Sequence, residues 1–198
     1  MMLQTDATSF DWFGIGERFA LHALIDDATG KLAGLYMSKN ECAEGYFCVL
    51  KQTVQIYGVP QNIYADGLSL FFGTSKPTLE EQLEGKPGGQ TQFGEIMAQL
   101  GTHIIHARSP QAKGRVERLW ETLQSRLPVE FKKHGIADME AANQFLAEEY
   151  AGVFNQRLGM QPTNTASAFM QRPKGIVLDR LLSLRYSRTV DQSGCFSF

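Results

Sequence analysis

Three acids and one cluster of cations are the residues of this chain whose types and spacing could do chemistry. Ser109 to Arg118 reads SPQAKGRVER, in which Lys113, Arg115 and Arg118 bracket a single acid, Glu117. The stretch follows a short apolar run, His103 to Ala107, that reads as a buried strand, and a Ser-Pro step that breaks it. A strand, a turn and then a helix start carrying a carboxylate among cations can hold a metal ion beside a polyanion. The same residues also fit a solvated helix face on which one Glu sits among its ion-pair partners. Two more acids stand where strands are expected to end: Asp6 after Leu3-Gln4-Thr5, and Asp66 after Asn62 to Ala65. Asp66-Gly67 is equally a common turn pair. Two divalent ions about 3.5–4 Å apart on such carboxylates can activate an attacking oxygen and stabilise a leaving one. Mg2+ favours oxygen ligands of this kind.

The elements that must position these acids follow from periodicity. Phe19 to Ile25 is apolar enough for a central strand, Asp26 to Gly30 carries turn chemistry, and Leu32 to Met37 returns as a second strand. Asp26 and Asp27 read as turn residues. A helix is expected from about Glu41 to Tyr57, with Ala43, Phe47, Leu50, Val54 and Tyr57 at helical spacing and Gly58-Val59-Pro60 as its stop. Asn62 to Ala65 then makes a parallel strand by a right-handed crossover, and ligands gather at the carboxyl ends of such strands. Gly67 to Gln92 reads as a long functional or mobile loop. Phe93 to Leu100 is a short helix and Thr102 to His106 the last strand. From Lys113 a long helix buries Val116, Trp120, Leu123 and Leu127, with a kink or break expected at Pro128. Asp138 caps another helix running to about Phe154, and Asn164 or Thr165 could cap a further short one. With strand one central, Asp6, Asp66 and Glu117 meet at one edge of the sheet. Glu121, one turn beyond Glu117, is its rival.

Composition narrows the class. The chain has 198 residues, 43% hydrophobic and 20% charged, enough for one full domain and too apolar for wholesale disorder. No apolar run approaches the ~20 residues of a membrane span, and the start lacks a signal peptide, so a cytoplasmic protein is expected. Its abrupt opening inside a strand reads as a piece cut from a longer protein. Cys42, Cys48 and Cys195 have neither disulfide nor zinc spacing. The net charge of −2 counts against a protein wholly devoted to nucleic acid. Between Ala107 and Gly135, however, seven Lys or Arg face three Glu, a local basic surface suited to phosphates.

The segments QTDATSFDWFG (Gln4 to Gly14), LIDDATGKLAGLY (Leu24 to Tyr36), IYADGLSLF (Ile63 to Phe71) and TQFGEIMAQLGTHIIHARSPQAKGRVERLWETLQ (Thr91 to Gln124) resemble the catalytic core of the retroviral-integrase superfamily, particularly its insertion-sequence transposases. The resemblance implies an α/β, ribonuclease-H-like fold: a five-stranded mixed sheet flanked by helices. It maps the family's two Asp and one Glu onto Asp6, Asp66 and Glu117, holding two Mg2+ or Mn2+ ions. It implies cutting of DNA at transposon ends and strand transfer to target DNA, with no covalent enzyme–DNA intermediate. Lys113, Arg115 and Arg118 then become phosphate contacts, and a homo-oligomer is expected. A nuclease of the same fold and a degenerate DNA- or protein-binding module are the alternatives. The core is expected over 1–170, with 171–198 a connector toward a further module. Departures are the 51 positions from Asp66 to Glu117, attributed to an insertion at 67–92, and Gly67-Leu68 where relatives carry polar residues.

Overall fold

The computed structural model describes residues 2–67, 69–73, 91–107, 114–162, 164, 167–186, 188, 190 and 192–195. Lys113, Thr165 and most of the expected 67–92 loop lie outside those residues. Five strands form one mixed sheet in the order β3-β2-β1-β4-β5: β1 (Leu3–Phe10), β2 (Phe19–Asp26), β3 (Leu32–Ser38), β4 (Asn62–Ala65) and β5 (His103–His106). The first three pair antiparallel, and β4 and β5 add in parallel. Helix α1 (Ala43–Ile56) is the crossover from β3 to β4, and α2 (Gln92–Leu100) precedes β5. Then come α3 (Gly114–His134), α4 (Met139–Phe145), a π turn (Leu146–Tyr150), α5 (Ala151–Leu158) and the short α6 (Leu178–Leu181).

Alternation along the strands divides the core into two layers. Leu21, Ala23 and Ile25 of β2 face α3, α4 and α5, where they meet Val116, Leu119 and Leu123. Leu24 faces the other layer with Leu3, Ile63, Phe47 and Leu50 of α1, and Ile96 of α2. Gly45 is required in α1, because a Cβ there would stand 2.4 Å from the His22 ring. Leu178 and Leu181 of α6 are buried in the α1 layer, so part of the expected connector packs on the core.

The β3 edge is closed by three amide side chains. Asn155 and Asn143 each accept from and donate to one backbone residue, Leu32 and Met37, and Gln52 does the same for Leu35. Each imitates a neighbouring strand and removes an edge open to foreign pairing.

Three expectations change. Asp6 does not end β1; it sits in mid-strand, because β2 continues to pair as far as Phe10↔Phe19. The His103–His106 strand is not buried: it is an edge strand with both histidines exposed, and only Ile104 packs on the α1 layer. The break at Pro128 is absent, since α3 continues to His134 with Leu127 and Phe131 buried on either side of the proline.

Candidate active site

Asp6 and Asp66 stand side by side. Leu3 pairs with Ile63 and Gln4 with Tyr64, so the same register carried two residues on brings Asp6 level with Asp66, where β4 ends. One strand stops at its acid while the other runs past, leaving a step in the sheet at the two carboxylates. Tyr46 of α1 feels both: burial raises its hydroxyl pKa first, then a 2.5 Å hydrogen bond donated to Glu41, then the negative charges of Glu41, Asp6 and Asp66.

Helix α3 lies along β1. The Val116 amide donates to Gln4 Oε1 (3.1 Å), the Trp120 indole N–H donates to Asp6 Oδ2 (2.9 Å), and Gln124 reaches Thr8 (3.5 Å). The Gln4 amide nitrogen in turn donates to Asp27 Oδ1 at 2.7 Å, tying the helix start to the β2–β3 turn. Asp26 accepts from Thr29 in that turn, so both acids are structural, as expected.

Glu117 is exposed on the first turn of α3. It lies three residues before Trp120 and so shares the helix flank that reaches Asp6. It is not gathered with the aspartates: among the described residues no three His, Cys, Asp or Glu side chains stand close enough to hold a metal ion. The donor set fits Mg2+ or Mn2+ in kind, being all carboxylate oxygen. Glu121 is exposed one turn further on. Arg115 points to the β2–β3 turn, its Nη1 lying 3.6 Å from where a Cβ on Gly30 would be. Arg118 is exposed, and among the described residues its side chain makes no hydrogen bond or ion pair. His106 lies against Phe72 (4.8 Å) and over Gly67, where a Cβ would come within 2.8 Å of its Nε2. Asp66 is therefore followed by the one residue type that leaves room for that ring.

Gln4, Glu41 and Tyr46 were not singled out by sequence, and Trp120 read only as core. The signal for Gln4 was its period-two spacing from Asp6, a polar residue on the same face of a buried strand. For Trp120 it was the three-residue spacing from Glu117.

No family model matches the chain. It is 37% identical over 190 residues, 96% of its length, to the transposase for insertion sequence IS1202 of Streptococcus pneumoniae. It is 35% identical over 201 residues to a candidate transposase of Sinorhizobium fredii. The chain spans only 39% and 42% of the length of these two relatives. Among solved structures it superposes on the catalytic core domain of BIV integrase with a TM-score of 0.53 at 18% identity, covering 79% of this chain and 84% of that one. The HTLV-2 integrase catalytic core, solved in complex with magnesium, gives a TM-score of 0.52 at 17% identity, covering 74% and 82%. The fold is thus the ribonuclease-H-like fold of integrase catalytic cores. Its sequence likeness, over nearly the whole chain, is to transposases.

Proposed function

We propose that the chain is the catalytic core of a DNA transposase that cuts DNA at element ends and joins the new 3′-hydroxyl to target DNA. Asp6, Asp66 and Glu117 are the acids that hold two Mg2+ or Mn2+ ions. The observation that carries this reading is the level placement of Asp6 and Asp66 on adjacent parallel strands, in a chain whose relative is named a transposase. A magnesium complex of the HTLV-2 core supports the choice of metal. When bound, the ions supply Lewis-acid stabilisation to the oxygens entering and leaving phosphorus. The chain's own work is positional. Trp120 holds one oxygen of Asp6 and fixes the plane of its carboxylate. Glu117 completes the set from the α3 flank beside Trp120. Lys113, Arg115 and Arg118 bind phosphates next to that helix start. The acids serve as ligands, so no side chain becomes bonded to DNA. DNA as substrate makes the cytoplasm the working compartment; no described helix is long and apolar enough to cross a membrane. The HTLV-2 core occurs in a dimeric form, and a homo-oligomer is proposed here too.

One observation favours a second reading, a degenerate module that binds DNA or protein without turnover: the exposed Glu117 standing outside any three-ligand group. A joined-product assay decides. Wild type, Asp66→Asn and Glu117→Gln are incubated with Mn2+ and a labelled duplex, with circular dichroism as the fold control. The proposal expects weak, non-specific joined products from wild type, lowered at least a hundredfold in both variants. Cut but unjoined strands would identify a nuclease. Equal activity in all three proteins would refute the assignment of the acids, and binding without products would establish the module.

A further inference from the structure

The second half of α3 and the α4–α5 segment enclose a cleft of about 180 Å³ whose lining includes none of the three acids. Its floor is aromatic. Phe145, Tyr150 and Phe154 follow one another at ring separations of 5.9 and 6.3 Å, and His134 tilts onto Phe145 at 4.7 Å. The π turn Leu146–Tyr150 builds this floor. Residues five apart on a regular α-helix point about 140° away from each other. The wider turn brings Phe145 and Tyr150 to one side, and single π turns inside helices are frequent at functional sites. Burial pushes the Tyr150 hydroxyl up to about 12.

Only some of the charges around this floor are spent on one another. Lys133 and His134 share Glu130 at 3.7 and 3.6 Å. Arg126 of α3 and Arg157 of α5 also line the cleft, and among the described residues neither makes a side-chain hydrogen bond or ion pair. The same holds for Glu149. An apolar cavity of about 150 Å³ accepts one benzene ring, so this cleft has room for a single ring system. A plain hydrocarbon ring leaves the two guanidiniums and the carboxylate unanswered. A ring that carries both an anion and an N–H donor answers all three.

We propose that the cleft is a nucleotide site: an amino-bearing base rests on the Phe145–Tyr150–Phe154 floor and donates to Glu149, and its phosphate pairs with Arg126 and Arg157. The nucleotide is either free or part of a single DNA strand. The site works without Asp6, Asp66 or Glu117, so its failure leaves the proposed activity untouched. The test is a 15N-resolved NMR titration of the full chain, without metal, using dAMP, dTMP, a six-nucleotide deoxyadenosine strand, and the peptide acetyl-Asp-Phe-Asp-amide. Saturable dAMP shifts are expected at residues 126–134 and 145–158. Arg126→Ala with Arg157→Ala, both at exposed positions, should weaken dAMP roughly tenfold or more. Wild type should prefer dAMP to dTMP, and Glu149→Leu should erase that preference. Competition by the strand assigns the site to DNA; binding of dAMP with no binding of the strand assigns it to a free nucleotide. Absence of cleft shifts at millimolar dAMP, unchanged affinity in the arginine variant, or tighter binding of the peptide than of dAMP would overturn the proposal.

Discussion

Trp120→Phe isolates the bond that fixes Asp6. The indole N–H donates to a carboxylate oxygen at 2.9 Å from a side chain that is only 7% exposed. A hydrogen bond to a charged acceptor contributes about 1.5–3 kcal/mol, and the half-buried Asp6 places this one at the lower end. Phenylalanine keeps the apolar contacts of α3 but leaves a small void, a further loss of about 1 kcal/mol. A total near 2.5 kcal/mol is therefore expected from urea denaturation. The void is separated from the bond by a double-mutant cycle with Asp6→Ala, in which the coupling should be about 1–2 kcal/mol. Coupling below about 0.5 kcal/mol, the scatter expected of independent sites, would refute the reasoning. If the proposed activity is correct, loosening this ligand should also lower DNA joining by about 10–100-fold, the usual effect of removing a group that orients a metal ligand.

His22 is fully buried, and desolvation lowers its pKa from 6.5 to about 4. The unfolded chain therefore takes up a proton that the folded one refuses, and this part of stability, about 3 kcal/mol, is full above pH 6.5 and lost as pH falls toward 4. Urea midpoints measured across that range should fall more steeply for wild type than for His22→Gln, and parallel curves would contradict it. Asn143→Leu strips the donor and acceptor from the Met37 backbone pair and should destabilise the chain by about 2–4 kcal/mol in the same assay. Gly45→Ala drives a methyl group into the buried His22 ring, so a loss of about 1–3 kcal/mol is expected, largely relieved by the smaller His22→Ala.

Much of the fold was legible in the chain because its layers are regular. The β1–β2–β3 meander, the α1 crossover and the α3 stripe of Val116, Trp120, Leu123 and Leu127 all follow from spacing, and each is buried or paired as that spacing requires. The misreadings have a common cause: a local pattern does not carry information about neighbours. His103 to Ala107 looks buried by composition, but burial depends on whether helices cover both faces, and β5 has a strand on one side only. Asp6 reads as terminal because it is an acid following the short run Leu3-Gln4-Thr5; the length of β1 is set by its pairing with β2 instead. Pro128 weakens a helix locally, and the packing of Leu127 and Phe131 outweighs it. The amides that close the β3 edge come from 17, 106 and 123 residues away, which no window of sequence can reveal.

The height of Glu117 over the sheet is set by a match of two repeats. Four helical residues rise about 6 Å and two strand residues about 6.6 Å, so a helix laid along a strand can renew contact every four residues against every two. The contacts follow this rule: Gln4 with Val116, Asp6 with Trp120, Thr8 with Gln124. Glu117 is thereby held between the levels of Gln4 and Asp6, while Asp66 shares the level of Asp6. What remains undetermined by that ladder is rotation of the helix, and the exposed position of Glu117 is a matter of rotation rather than of height. Gln4 is the member of the ladder that resists turning, because its amide is also tied to Asp27 across the sheet. The acid that sequence places in the site and the polar residue that sequence passed over are thus parts of one device: Gln4 and Trp120 fix where along β1 the third carboxylate can arrive.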